Sequence, residues 1–179
     1  EDAWVRQAAA YGVLHAARLA EFAPAAARSA GLLAEAIAHP GARSEGNLAA
    51  TEAAVAALGV LCHDQISNLG AVAEQHLSVF LNGLPLVEDL DQAGPTHELL
   101  MEFVGEGNAV VKAALGKVVR VFLEVYERDT STTALNAAIR RLFLEAGEEC
   151  LLRQLQPPLN EKQRKRAQKI LRDAKKFKA

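Results

Sequence analysis

Cys62-His63-Asp64 brings together the side-chain types of a nucleophile, a base and an orienting acid. Nucleophilic catalysis needs the base within hydrogen-bond reach of the nucleophile and the acid behind the base. Consecutive residues of a helix leave its axis in different directions, so this trio is not expected to converge. Cys62 reads as a structural thiol. The other histidines, His15, His39, His76 and His97, have no carboxylate or cysteine at metal-ligand spacing. Gly105-Glu106-Gly107-Asn108 has the glycines of a phosphate loop but lacks its lysine and the preceding strand. The expectation is a non-enzyme with no catalytic, metal-binding or cofactor-binding residue and no cofactor.

The elements around these residues are helical. Half of the 179 residues are hydrophobic but only 5% are aromatic. Alanine and leucine, strong helix formers, supply the excess. No run of β-branched or aromatic residues alternates with period two, so no sheet is expected. Within Ala49–Cys62, residues Val55, Leu58 and Cys62 extend the stripe begun by Leu48, while the opposite face carries Glu52, Ala56, Gly59 and His63. A helix that is apolar on one side and small on the other admits neighbours on two sides. It belongs in the middle of stacked layers.

Helices are predicted over Asp2–Leu19, Ala25–Ala38, a segment from the polar loop Arg43–Asn47 to about His63, Leu69–Leu84, a segment ending near Val104, Ala109–Tyr126, a segment after Thr130-Ser131, and one capped by Asn160. Pro24 marks a first turn, and Gly94-Pro95 predicts a kink or a delayed start in the fifth helix. The fourth is expected to point Val72, Gln75, His76, Val79 and Phe80 inward. The second, fourth and sixth begin near residues 24, 69 and 109, a period of about 40 to 45 that suits a HEAT or armadillo array. The plain alternative is a single helical bundle.

The net charge of −2 hides an asymmetry: residues 159–179 hold nine Lys/Arg and two acids, and residues 1–158 hold 11 basic and 20 acidic residues. An acidic body with a basic end bears on partners rather than fold. Two cysteines 88 positions apart form no disulfide framework, which fits a reducing compartment. No signal peptide or long apolar run is present, so neither secretion nor a membrane span is expected. The only methionine is Met101 and the chain opens on Glu1, so a piece of a longer protein is expected.

Val5-Arg6-Gln7-Ala8-Ala9-Ala10-Tyr11-Gly12 resembles an inner helix of a HEAT repeat. Ala50-Thr51-Glu52 with Ala57-Leu58-Gly59, then Leu84-Pro85-Leu86 with Glu88-Asp89, resemble successive steps of the importin-β (karyopherin-β) nuclear transport receptors. The likeness is closest to the branch importing ribosomal proteins and histones, covers nearly the whole chain, and places it at the receptor's C-terminus. Ala49 and Ala53 stand where that family often has asparagine.

The resemblance implies an all-α, right-handed α-solenoid of HEAT repeats. Residues 1–21 would be the inner helix of a truncated repeat, residues 22–63, 64–105 and 106–147 antiparallel pairs, and 148–179 a capping region. It implies a shuttling import receptor of cytoplasm and nucleus. The partners would be basic cargo such as ribosomal proteins and histones, a Ran-type GTPase, and Phe-Gly nucleoporins, with no membrane and no direct nucleic acid. A HEAT scaffold of a non-transport complex is the alternative. Glu52, Glu88, Asp89, Asp91, Glu98 and Glu102 would line the concave, cargo-facing side. Arg6, near Asp2, is expected in a structural pair. Trp4, Tyr11 and Leu14 are expected to be exposed at the N-terminal edge and to promote self-association. In the last helix, Ile170, Leu171 and Phe177 are expected to pack near Leu142 and Phe143, with the basic residues in solvent; the alternative is that Lys162-Gln163-Arg164-Lys165-Arg166 mimics a nuclear localisation signal or touches nucleic acid.

Overall fold

A computed structural model describes residues 2–151 and 155–176, and no strand occurs among them. The chain is all-helical and divides into two compact units, residues 1–99 and 100–179.

In the first unit, α1 (Ala3–Ala16) starts where the Asp2 carboxylate accepts the Trp4 N–H at 2.7 Å. Such a cap satisfies an N–H that has no partner inside the helix. α2 (Ala23–Ala38) has Pro24 in its first turn, where no N–H is needed. α3 (Leu48–Asp64) is the centre: every residue from Ala50 to Cys62 is buried. It packs against α1, α2 and α5 (Ala73–Gly83). Small residues make this possible. A Cβ on Gly59 would sit 2.5 Å from the Phe80 ring, and one on Gly83 would sit 2.5 Å from a Val55 methyl. These two crossings, 59 with 80 and 55 with 83, make α3 and α5 antiparallel. α1 and α3 run parallel, because Arg6 bonds Asn47 near their starts (2.5 Å) and Gln65 bonds the Ala17 carbonyl near their ends (2.7 Å). Asn47 is thus a partner of the Arg6 guanidinium.

Several boundaries differ from the sequence expectation. The fourth predicted helix starts later than Leu69: the short α4 (Ile66–Leu69) precedes it and ends at Gly70, whose φ of +60° only glycine adopts easily, and α5 starts at Ala73. This break leaves Val72 and Gln75 exposed, while His76, Leu77, Phe80 and Leu81 are buried. α6 (Leu90–Gly105) is not delayed by Pro95, which lies inside it. Its first turn is held by Asp89, whose carboxylate accepts the Gln92 N–H at 3.3 Å.

In the second unit, Asn108 caps α7 (Ala109–Ala113) by accepting the Val110 N–H at 2.9 Å. The chain breaks at Ala114 before α8 (Leu115–Val125), so the single helix expected over this region is two. Next to the break, the Gln156 carbonyl approaches Gly116 so closely that a Cβ there would be 2.7 Å away. Arg120 fastens this contact by donating to the Gly116 carbonyl (2.5 Å) and the Pro157 carbonyl. α9 (Thr133–Glu149) is capped by Thr132, one residue past the expected Thr130-Ser131, through the Leu135 N–H at 3.0 Å. Leu135, Ile139 and Phe143 form its buried stripe. Asn160 and Gln163 exchange backbone and side-chain bonds (2.9 and 3.1 Å), a capping box for α10 (Glu161–Lys176). α10 packs mainly on α9 and also on α8, burying Ala167, Ile170, Leu171 and Ala174. Ile170 and Leu171 thus lie on the buried side of α10; Phe177 lies outside the described residues.

Candidate interaction surfaces

The expected cargo-facing acids split into two groups. Glu52 is fully buried, and its carboxylate accepts backbone N–H groups from Val87 (2.9 Å), Glu88 (2.8 Å) and Asp89 (2.8 Å). It cannot face a ligand, which corrects the sequence expectation. The cause is energetic: a buried carboxylate is tolerated only when hydrogen bonds replace its water, and each such bond contributes about 1.5–3 kcal/mol. Glu52 therefore clamps the loop that leads into α6. His97 holds the same loop by accepting the Leu86 N–H at its Nε2 (3.1 Å), and Thr51 donates to the Ala42 carbonyl at 2.7 Å. A signal for this was present in the sequence, since Glu52 is the one charged residue in an otherwise apolar and small run.

Asp89 is also buried and corrected. One oxygen accepts the Tyr11 hydroxyl at 2.6 Å and the other serves the first turn of α6. Burial first, and then this hydrogen bond, push the Tyr11 phenol above its ordinary range. Glu88, Asp91 and Glu102 are exposed, and Glu98 is half-buried. These four remain as surface carboxylates.

At the start of α1, Trp4 is 78% and Val5 54% exposed. Tyr11 is only half-buried and bound to Asp89, and Leu14 is buried, contrary to expectation. α1 turns Ala10, Leu14 and Ala17 inward, because only that side can meet α3. Between α1 and α2, floored by α3, lies a groove of about 700 Å³ lined by residues including Val13, Leu32 and Ala54.

The His63-Asp64 part of the first trio does meet: His63 Nδ1 lies 2.6 Å from the Asp64 carboxylate. Both residues sit at the partly exposed end of α3, where adjacent side chains have room to swing together. Cys62 points into the core, and burial pushes its thiol up to about 12. Cys62 is therefore not placed as a nucleophile for this pair.

On α10 the basic side chains other than Arg166 are exposed. Arg166 meets Glu124 at 2.9 Å and donates to the Leu123 carbonyl. Lys169 joins Glu127 and Asp173, lying 5.2 Å from the centre of the Tyr126 ring. The bonds to Asp173 and Glu127 raise the Lys169 ammonium above its ordinary range, and the bond from Lys169 lowers Asp173. No helix among the described residues is long and apolar enough to cross a membrane. No protein-family model matches the chain, and the chain matches no curated protein.

Proposed function

We propose that the chain is a segment of a right-handed α-solenoid of HEAT repeats that binds proteins, in the manner of an importin-β nuclear import receptor. The observation that carries this reading is the Glu52 clamp. Ala50-Thr51-Glu52 and the stretch from Leu84 to Asp89, two of the stretches that carry the resemblance, are joined by three hydrogen bonds. Their order and spacing then have a physical purpose: one inner helix fixes the loop that starts the next. The layering within the first unit points the same way. α1 and α3 lie parallel in one layer, with α2 and α5 in contact beside them, as stacked helix pairs require.

In this reading the surface acids Glu88 and Asp91 attract Lys/Arg-rich cargo such as ribosomal proteins or histones. A Ran-type GTPase and Phe-Gly nucleoporins are partners of the whole receptor, which shuttles between cytoplasm and nucleus. Pull-down with the purified chain tests it. Recovery of basic proteins that is lost at high salt, as screening over about 8 Å demands, and in Glu88→Lys/Asp91→Lys, is the expected result. Salt-independent recovery, or none, refutes it.

The exposed Trp4 and Val5 favour a second reading, a HEAT scaffold held in a permanent complex that covers them. It requires a stoichiometric partner that survives high salt and is released by Trp4→Ser.

A further inference from the structure

Residues 161–176 contain four apolar side chains, Ala167, Ile170, Leu171 and Ala174, and all four are buried. The exposed side of α10 is thus purely polar. Along it Lys162, Lys165, Lys169, Arg172 and Lys176 recur at steps of 3, 4, 3 and 4. That spacing keeps side chains on one face of a helix, and from first to last it spans about 21 Å at 1.5 Å per residue. The first four of these line a shallow open depression of about 790 Å³. One member of the stripe, Lys169, is committed to structure through Glu127 and Asp173, as is Arg166 beside it through Glu124, which leaves Lys162, Lys165, Arg172 and Lys176 for a partner. Lys162 and Arg172 make no hydrogen bond or ion pair among the described residues, and the Lys165–Glu161 pair is highly exposed and readily exchanged.

We propose that this stripe binds the phosphate backbone of duplex nucleic acid without regard to sequence. Three features select that partner. A membrane-surface helix inserts an apolar face, and here that face is occupied by α9 and α8. A protein partner needs apolar or aromatic anchors at the centre of the contact, and the stripe has none. Single-stranded nucleic acid is held largely by stacking on aromatic rings, which are also absent from residues 161–176. A duplex needs only cations. It presents one negative charge per ~1.7 Å of axis, about 12 over the length of the stripe, so each cation finds a phosphate in any register. Lysine, a compact point charge, suits phosphate without reading base edges. This reading departs from the sequence expectation of no direct nucleic acid.

The test is fluorescence anisotropy of labelled 20-base-pair duplexes of unrelated sequence, titrated with the whole chain. The competitors are a poly-glutamate peptide and vesicles containing anionic lipid. Three to four phosphate contacts give a log–log salt slope of about −2.7 to −3.6, a loss of roughly 40- to 150-fold between 50 and 200 mM salt. We expect equal affinity for the different sequences. The variant Lys162→Glu/Arg172→Glu/Lys176→Glu, with an unchanged thermal midpoint, is expected to lose at least tenfold in affinity at 50 mM salt. The conservative Lys162→Arg/Lys176→Arg is expected to keep it. The proposal is overturned by absence of duplex binding at 50 mM salt, by duplex binding that the charge reversal leaves intact, or by binding to poly-glutamate or vesicles in preference to duplex.

Discussion

α3 buries every residue from Ala50 to Cys62, whereas α10, of nearly the same length, buries only one stripe. The two helices show different ways of holding a helix in place. α3 is gripped on several sides because its residues are small, and its one buried charge is turned into a clamp. α10 is gripped on one side by Ile170 and Leu171, and its charges stay in water apart from a few surface pairs. Damage to α3 should therefore act through steric fit and unsatisfied polar groups. Damage to α10 should act through lost apolar area and be largely insensitive to its charges.

The largest effect is expected at Glu52. Glu52→Ala strands three N–H groups. At about 1–3 kcal/mol for each buried group, less some rehydration at the loop, the loss is roughly 3–5 kcal/mol. Glu52→Gln should cost about half of that, since an amide nitrogen replaces one acceptor. Urea unfolding monitored by helical circular dichroism measures both. An effect below 1 kcal/mol in the alanine variant would mean that the clamp does not hold the loop.

Truncation of the α10 stripe comes next. Ile170→Ala should cost about 2–4 kcal/mol, the usual range for a large-to-small change in a packed site. Lys162→Glu, on the opposite face, should change stability by less than 0.5 kcal/mol. Similar losses from both would erase the contrast between the two faces.

Gly83 sharpens the steric half of the comparison. Gly83→Ala pushes a methyl into Val55 and should cost about 1–3 kcal/mol by overpacking. Val55→Ala also destabilises alone, but in the double variant the two changes should offset each other. Simple additivity in the double-mutant cycle would show that the close crossing of α3 and α5 is not the cause.

The smallest effect is at the surface pairs of α10. Lys169 is raised, so its contribution is complete below the ordinary lysine range and is lost as pH rises through the raised value. Asp173 is lowered, so its contribution is present above the ordinary carboxylate range and is lost as pH falls through the lowered value. Lys169→Met should remove less than about 1 kcal/mol at neutral pH, because these groups are partly exposed. It should also flatten the stability profile at both the acidic and the strongly alkaline ends. An unaltered profile would leave these pairs without energetic weight.

Much of the helical content was legible because helix formation is local. Alanine and leucine spacing, Asp2, Pro24 and Asn160 mark helix ends through groups a few residues away, and the apolar stripe of α10 follows from its period alone. The breaks at Gly70 and Ala114 were not legible as breaks. Gly70 takes a φ of +60° that its residue type permits but does not require, and Ala114 is a good helix former whose type carries no stop signal.

The candidate site divides along the same line. Sequence determined that acids cluster around Glu88 to Asp91 and that residues 159–179 are basic, because charge is a property of composition. Only the tertiary structure decided which of these charges meet water. Glu52 and Asp89 look like surface acids by type, yet packing buries both and assigns their oxygens to the N–H groups of a distant loop and to Tyr11. The partner of a buried charge comes from 35 to 78 residues away, and nothing in the local sequence encodes that distance. In α10 the same physics gives the opposite result: its buried side is filled by apolar groups, so its charges have no call on the interior and remain at the surface.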